Sequence, residues 1–547
     1  MTFQEKLRNG ERDRIWQEYC GFLDLDMKEY MTIQNRLLME QMQMWCSCPL
    51  GQKILKGKKP QTIEEFRQMV PLTTYEDYAD VLLLKKEEML PDQPIIWIQT
   101  TWEGGKHPIK VAPYTKGMLQ TYKNNVLACM ILSTSTQKGQ FDIEEADTFL
   151  YALAPLPYTT GLIPLALTDE INVEFLPPVK DAVKLSFSER NKKGFKMGLR
   201  RGIDFFFGLG SVAYYVSLSA AKMSEGDKTG GKLKKMFSMS PSMLLRYIKA
   251  KNVCRKEKRQ LKPKDLFHLK GFVCAGTDNR CYKDDLEDLW GVRPIEVFSG
   301  TEPSCIGIET WTRNGLYFFP DTCFYEFIPE DEMYKNMEDP AYQPRTVCMD
   351  QVVPGQVYEI AITVLKGGAF ARYRVGDMYR CVGLSSKEDE TRIPRFQYID
   401  RIPTIIDIAG FTRISENSIK SVIALSGLDI ENWVALKEFT EDKGRPFLHM
   451  YVELSPDAVV SRAISRELLK EHLTIYFKYV DQDYNDLKRI LGMDPLEITI
   501  LRCGTFKTYE AASGKKLRHI NPPVHDVQDL VKAQDQFQAQ DGRRFPL

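Results

Sequence analysis

The sequence predicts an α/β protein: a large N-terminal domain with parallel or mixed sheets flanked by helices, then a smaller α+β C-terminal domain. Three observations lead there. The unit strand, glycine turn, helix recurs between about residues 95 and 310, and strands alternating with helices imply parallel pairing. The first ninety residues carry apolar positions three and four apart with no strand pattern. After about residue 400 the pattern changes to strand pairs and a long helix, which places a boundary near Asp400 and divides the chain into residues 1–400 and 401–547.

The elements follow in order. Ile15–Trp45 reads as helix. Ile95–Thr100 (IIWIQT) reads as a strand, followed by the loop TTWEGGKHPIK and a helix over TKGMLQTYKNNVLACMIL. DTFLYALAPLPYTTG reads as a buried strand ending in a proline- and glycine-marked turn. The uncharged run Phe205–Ala221 follows the basic segment RNKKGFKMGLRR. It is shorter than the roughly 20 apolar residues of a membrane span, and a buried helix is expected. FHLKGFVCAGTDNRCYKDDLEDLWG repeats strand, turn and helix, and RPIEVFSGTEPSCIGI is a further strand entering a polar turn. YEIAITVL and FQYIDRIPTIIDIAG read as strands, and SRAISRELLKEHLTIYFKYV as the long late helix.

Bulk composition excludes several classes. Hydrophobic residues are 43% and charged residues 27%, and 74 Lys+Arg balance 74 Asp+Glu. A net charge of zero gives no global attraction for nucleic acid or an anionic membrane, and neither partner is expected. The twelve cysteines are scattered, with Cys46 and Cys48 the closest pair, and the six histidines lack ligand spacing; no metal cluster of these residues is expected. Reduced thiols and a charged N-terminus without an apolar core predict a cytoplasmic protein. Oligomeric state is left as monomer or homodimer.

In open parallel sheets, ligands bind beyond the carboxyl ends of the strands. Polar turns fall at such ends here: TTWEGGK, PLPYTTG, CAGTDNR and FSGTE. In FSGTE, Ser299 and Gly300 precede Thr301 and Glu302, a hydroxyl beside a carboxylate, which suits phosphate and a divalent cation; an ordinary exposed turn has the same composition. In ARYRVGD, Asp377 follows a glycine turn and can accept both hydroxyls of a ribose. Arg374 either meets phosphate or forms a structural pair with that aspartate. Asp400 and Arg401 then lead to a turn at Gly410 and a helix starting at Ser415.

The order of these pieces resembles the adenylate-forming superfamily of acyl-activating enzymes. A Gly/Ser/Thr-rich loop, a turn ending Thr-Glu, Tyr-Arg-x-Gly-Asp, an Asp-Arg hinge and a late Gly-Lys correspond to TTWEGGKHPIK, FSGTE, YRVGD, DRIPTIIDIAGFTRISE and SGKKLR, covering about residues 95–520. Within it the chain is similar to the auxin-responsive Gretchen Hagen family of acyl-acid amido synthetases and its bacterial relatives. That likeness rests on KPQTIEEFRQMVPLTTYEDY, GGAFARYRVGD and the GTF at Gly504–Phe506. Phenylacetate-type acyl-CoA ligases share several of these motifs.

The resemblance implies ATP and Mg²⁺ as cofactors, a small carboxylic acid as substrate, and transfer of the activated acyl group to an amine or amino acid. Thr301 would contact the α-phosphate, Glu302 would hold Mg²⁺, and Asp377 would bind ribose with help from Arg374 or Arg401. Ala275, Gly276 and Thr277 would lie along adenine, with Ser299 and Gly300 beside the nucleotide. Tyr158 and Thr159 would face the acyl pocket. Lys515 of SGKKLR is the expected catalytic lysine, with Lys516 second; in the register of a lysine preceding proline the residue is Asn521, before Pro522.

The opening loop departs from the superfamily pattern. It keeps a threonine start, the glycines and Lys110, but Trp102 and Glu103 stand in its middle. Either Thr100, Thr101, Gly104, Gly105 and Lys106 still cradle a triphosphate, or they no longer do. A carboxylate about 4 Å from a phosphate charge opposes it by roughly 4 kcal/mol at an effective dielectric near 20. Three functions follow: an amide-forming ligase, a coenzyme A ligase, and a non-catalytic binder of a small acid or partner.

Overall fold

A computed structural model describes residues 1–100, 107, 109–151, 153–225, 239–410, 412–455, 466–480 and 484–540. The chain divides into two compact units, a first that runs to Asp400 and a second that starts at Arg401.

The first unit opens with helices, among them Arg12–Cys20 and Met27–Ser47. The longer one starts in a capping box, in which Asp26 accepts from the Glu29 amide and Glu29 reaches back to the Asp26 amide. Its buried stripe includes Tyr30, Gln34, Leu37, Leu38, Gln41 and Trp45. The two glutamines lie seven residues apart on that stripe and satisfy backbone carbonyls, one at the start of a strand and one in the connection 365–372. Gln34 Nε2 donates to Cys323 O at 2.7 Å and Gln41 Nε2 to Gly368 O at 2.9 Å. The helices are thereby fastened to the sheet that carries the YRVGD segment.

The strands that position the site come next in the chain. Strands β1 (Pro94–Gln99) and β2 (Val111–Thr115) form an antiparallel hairpin. A seven-stranded sheet is built from β3 (Thr148–Tyr151), β4 (Glu174–Leu176), β5 (Phe205–Leu209), β6 (Gly271–Ala275), β7 (Ile295–Gly300), β8 (Ser304–Ile308) and β9 (Tyr317–Phe318), in the order β4-β3-β5-β6-β7-β8-β9. The pairs from β4 through β7 are parallel, and β8 and β9 are antiparallel additions. A five-stranded sheet has the order β11-β10-β12-β13-β14, with β10 (Cys323–Pro329), β11 (Val347–Cys348), β12 (Val357–Val364), β13 (Tyr373–Gly383) and β14 (Arg395–Arg401). The pairs β10–β11, β10–β12 and β12–β13 are antiparallel.

One expectation is corrected. The run Phe205–Ala221 is not one helix. It supplies β5 and then the helix Gly210–Glu225. The phenylalanines alternate across the sheet: Phe205 stacks on Phe149, while Phe206 stacks on Phe272 and meets Trp290 edge-on. The switch falls at Gly210, where a Cβ would come within 2.4 Å of Asn279 Oδ1. Past residue 310 the connection 365–372 between β12 and β13 is too short for a crossover helix, and the two strands pair antiparallel.

The second unit pairs β15 (Ile405–Ile408) with β16 (Thr412–Ser415) and orders a three-stranded sheet as β17-β18-β19 from Ile430–Phe439, Pro446–Leu454 and Leu496–Leu501. Beyond the predicted long helix, seen here over Arg466–Val480, it holds helices at Glu416–Ser426, Tyr484–Leu491, Thr505–Ser513 and Val524–Gln540. Ser415 caps the first of these through the Ser418 amide.

Candidate active site

Parallel pairing places the carboxyl ends of β3, β5, β6 and β7 on one edge of the seven-stranded sheet. The turns PLPYTT, Leu209–Gly210, Ala275–Gly276–Thr277 and Thr301–Glu302 all leave from that edge.

The Thr301–Glu302 turn is tight. Gly300 faces Ser304 across the β7–β8 hairpin, and Ser304 sits at φ 66°. A Cβ on Gly300 would meet the Pro303 ring at 3.0 Å, so glycine is what lets Pro303 fold under the turn. Thr301 and Glu302 are 8% and 7% exposed. Tyr114 on β2 donates its hydroxyl to Thr301 O at 3.0 Å, and Thr159 Oγ1 lies 3.4 Å from Thr301 Oγ1. Tyr122 donates to Thr159 O at 3.2 Å, which ties the PLPYTT turn to the helix Lys116–Thr134. Two threonine hydroxyls from different strand ends therefore share one buried spot.

Glu302 receives a hydrogen bond from the Tyr373 hydroxyl at 2.6 Å and has Lys110 Nζ at 3.5 Å from the same Oε1. Lys110 immediately precedes β2, and its ammonium lies 5.9 Å from the centre of the Tyr75 ring. Burial, helped by the Glu302 charge, pushes the Tyr75 hydroxyl up to about 12, and burial pushes Tyr114 higher still. Both phenols stay neutral donors at ordinary pH.

Asp377 is 2% exposed and lies on β13 after Gly376 at φ 80°. Glu359 pairs with Met378 and Ala361 with Arg374, so residues 375–377 bulge from the β12–β13 ladder. Such bulges re-aim side chains beside functional sites. The bulge lies between two anchors to the sheet edge, Tyr373 on Glu302 and Tyr379 edge-on to Phe298 at 5.3 Å. On the neighbouring strand end, Gly276 adopts φ 96° and its carbonyl accepts from Asn279 Nδ2 at 2.7 Å; Thr277 beside it is buried. Ala275 ends β6, and Ser299 and Gly300 end β7.

Several predicted residues do other work. Arg374 forms a bidentate pair with Glu359, at 2.8 Å from Nε and 2.6 Å from Nη2, and also donates to Asn336 Oδ1 at 2.6 Å. The expected partner Asp377 is replaced by a carboxylate across the ladder. The Thr100 hydroxyl accepts from the Lys110 amide at 3.0 Å and closes the base of the hairpin. Thr101, Trp102, Glu103, Gly104, Gly105 and Lys106 lie outside the described residues. In the second unit, Arg401 Nε lies 3.7 Å from Asp407 Oδ2, and Lys515 Nζ is 2.8 Å from Asp526 Oδ1. Asn521 adopts φ 41°; its Nδ2 donates to Ile405 O at 3.0 Å and its Oδ1 accepts from the Lys437 amide at 3.1 Å. It braces two strands.

Sequence reasoning missed Lys110, Tyr373 and Tyr114 as site members. Tyr373 stands inside the YRVGD motif and Lys110 closes the loop motif, but their meeting at Glu302 spans 192 and 71 residues and leaves no local signal.

Comparison with known sequences matches residues 20–159 to the GH3 family N-terminal domain and residues 316–401 to the GH3 family central domain. Together the two GH3 family models match about two fifths of the chain. The two matched segments contain Lys110, Thr159, Tyr373 and Asp377. A jasmonoyl–L-amino acid synthetase of Oryza sativa subsp. japonica is 27% identical over 201 residues, 34% of this chain and 32% of the rice protein. The match thus spans about a third of that relative's length. Among solved structures, a 2-hydroxyisobutyryl-CoA ligase in complex with 2-HIB-AMP and CoA superposes with a TM-score of 0.54 at 16% identity, over 87% of this chain and 86% of that one. An acyl acid amido synthetase, AtGH3.15 in complex with 2,4-DB, aligns over 92% of this chain and 93% of its own at 14% identity, with a TM-score of 0.49. The chain shares the fold of the 2-hydroxyisobutyryl-CoA ligase.

Proposed function

We propose that this chain is an ATP-dependent ligase that activates a small carboxylic acid as an acyl-adenylate and transfers the acyl group to an amine, most simply that of an amino acid. The observation that carries this reading is the buried Thr301–Glu302 turn, where two threonine hydroxyls, a carboxylate and a lysine ammonium meet at the carboxyl edge of a parallel sheet. A carboxylic acid alone would need only a cation there. The added hydroxyl pair and acidic oxygen suit a phosphate with its divalent counter-ion.

The donor set fits that assignment. Glu302 supplies a hard oxygen of the kind Mg²⁺ takes alongside nucleotide phosphates, and Tyr373 orients it. When bound, the cation neutralises charge on the phosphates during displacement. Thr301 donates to the α-phosphate, with Thr159 beside it toward the acid. Lys110, just before β2, faces the same phosphate charge. The acid's carboxylate oxygen attacks the α-phosphorus, the bond to the bridging oxygen breaks, and pyrophosphate leaves. The amine nitrogen then attacks the acyl carbon, the bond to AMP breaks, and the amine proton passes to solvent. Asp377 holds the ribose, with Ala275, Gly276 and Thr277 lining the adenine end.

A second reading, a non-catalytic binder of a small acid, is favoured by the engagement of Arg374 with Glu359, of Thr100 with the hairpin base, and of Asn521 as a brace. Pyrophosphate release with a panel of carboxylic acids, with amino acids or coenzyme A as acceptor, separates the readings. The ligase reading expects acid-dependent release and an amide product. Release with thioester formation only would move the assignment to a coenzyme A ligase, and no release with any acid would favour the binder.

A further inference from the structure

The chain is electrically neutral overall, but its charges are unevenly placed. The helix Pro241–Lys256 (PSMLLRYIKAKNVCRK) holds five basic residues, Arg246, Lys249, Lys251, Arg255 and Lys256, and no acidic residue. Among the described residues, no carboxylate lies within ion-pair distance of any of the five. Their neighbours further along the chain behave differently: Arg259 is paired with Asp265, and Lys262 and Lys264 with Asp288. Among the described residues the five cations of the helix thus have no ion-pair partner, while the segment beside them is neutralised.

The same helix exposes large apolar side chains. Met243, Ala250 and Cys254 form its buried stripe. On the helical wheel, Leu245 and Ile248 project opposite that stripe, with Lys249, Arg255 and Lys256 around them and Val253 toward one flank. Leu245 is 70% exposed, Ile248 45% and Val253 43%. The apolar centre of this outward face costs free energy in water, and its basic rim attracts anions.

We propose that this helix docks the protein on an anionic phospholipid surface. The helix would lie in the plane of the interface, with Leu245 and Ile248 entering the acyl boundary and the lysine and arginine stems reaching out to the headgroups. Nucleic acid would meet the cations but offer no hydrocarbon for Leu245 and Ile248, which stand at the centre of the face rather than its edge. No helix of the described residues is long and apolar enough to cross a membrane, so attachment is peripheral. The location suits a surface contact. Arg246 lines a cavity of about 470 Å³ with Gly202, Asp204, His268 and Lys270, residues that precede β5 and β6. That is the amino edge of the parallel strands, whereas Thr277 and Thr301 leave from the carboxyl edge. Docking there leaves the candidate active site open.

The test is co-sedimentation of the full chain with vesicles of phosphatidylcholine, with and without phosphatidylserine, over a series of salt concentrations. Binding should require phosphatidylserine and fall as salt rises. Lys249→Glu with Lys256→Glu should lower the partition coefficient at least about fivefold for each cation removed. Leu245→Ser with Ile248→Ser should lower it by about tenfold or more, while leaving the melting temperature and any ligase activity unchanged. No phosphatidylserine-dependent binding of the wild type at low salt would overturn the proposal, whatever the variants do. Full binding by the Leu245→Ser, Ile248→Ser variant, or displacement from vesicles by duplex DNA or an acidic polypeptide with equal affinity, would show a charge-only surface and overturn it too.

Discussion

Two carboxylate–cation pairs border β13, and they are built differently. Glu359 is fully buried and gripped by Arg374 through two hydrogen bonds, with Asn336 on the same guanidinium. Glu302 receives a 2.6 Å bond from the Tyr373 hydroxyl, and the Lys110 ammonium lies 3.5 Å away. The two grips come from adjacent residues of one strand, Tyr373 and Arg374, whose side chains point to opposite faces. One face carries a closed ion pair that holds the sheet. The other carries a carboxylate bonded by a neutral phenol, with its cationic neighbour at 3.5 Å rather than in a two-bond grip.

If that contrast is right, the two carboxylates fail in different ways when removed. The largest effect is expected for Glu359→Ala, which leaves Arg374 buried without its partner and should cost about 3–5 kcal/mol of stability in denaturant unfolding. A loss below about 1 kcal/mol would show that the pair does not hold the sheet. Glu302→Gln should instead leave the unfolding midpoint nearly unchanged and lower acid-dependent adenylation by about a hundred- to a thousandfold. Asp377→Ala removes charge-assisted hydrogen bonds to ribose and should weaken ATP binding about ten- to a hundredfold by calorimetry, with the fold intact; an unfolded variant would assign Asp377 to the first class of carboxylate instead.

The smallest effect concerns the second unit. Burial alone would push the Asp526 carboxyl up, but the hydrogen bond and charge of Lys515 outweigh it and hold Asp526 below its usual value near 3.8. The stability this pair contributes is complete above that value and is lost as pH falls through the lowered one. Unfolding of Asp526→Asn should therefore differ from wild type at about pH 6 and converge on it toward about pH 3. If Lys515 acts in acyl transfer, it must leave Asp526, and Asp526→Asn should speed the transfer step relative to adenylation. An unchanged ratio of the two steps would count against Lys515.

Much of the architecture was legible because its signals are local. The strand ends CAGTD and FSGTE carry glycine and hydroxyl residues where a parallel sheet opens, and the structure places both turns on one edge. Ser415 reads as a helix cap from its place before an apolar run, and it is one. Phe205–Leu209 was read as helix because an uncharged run has no period that separates a buried strand from a buried helix. Its strand state depends on Phe149 and Phe272, far away in sequence. The partners of the charged site residues were hidden for the same reason. Nothing near Arg374 favours Glu359 over Asp377 until the β12–β13 register is known, and Lys110 meets Glu302 only after the hairpin and the large sheet have assembled. Net charge says nothing of the helix Pro241–Lys256, because a chain-wide zero averages over a local block of basic residues.

The central claim is that the Thr301–Glu302 turn activates a carboxylic acid at the expense of ATP. Isotope exchange between pyrophosphate and ATP, run with a panel of carboxylic acids on wild type and Glu302→Gln, tests it most directly. The account predicts Mg²⁺-requiring exchange that depends on at least one acid and falls at least about a hundredfold in Glu302→Gln. Exchange that is absent for every acid, or equal in the two proteins, would contradict it.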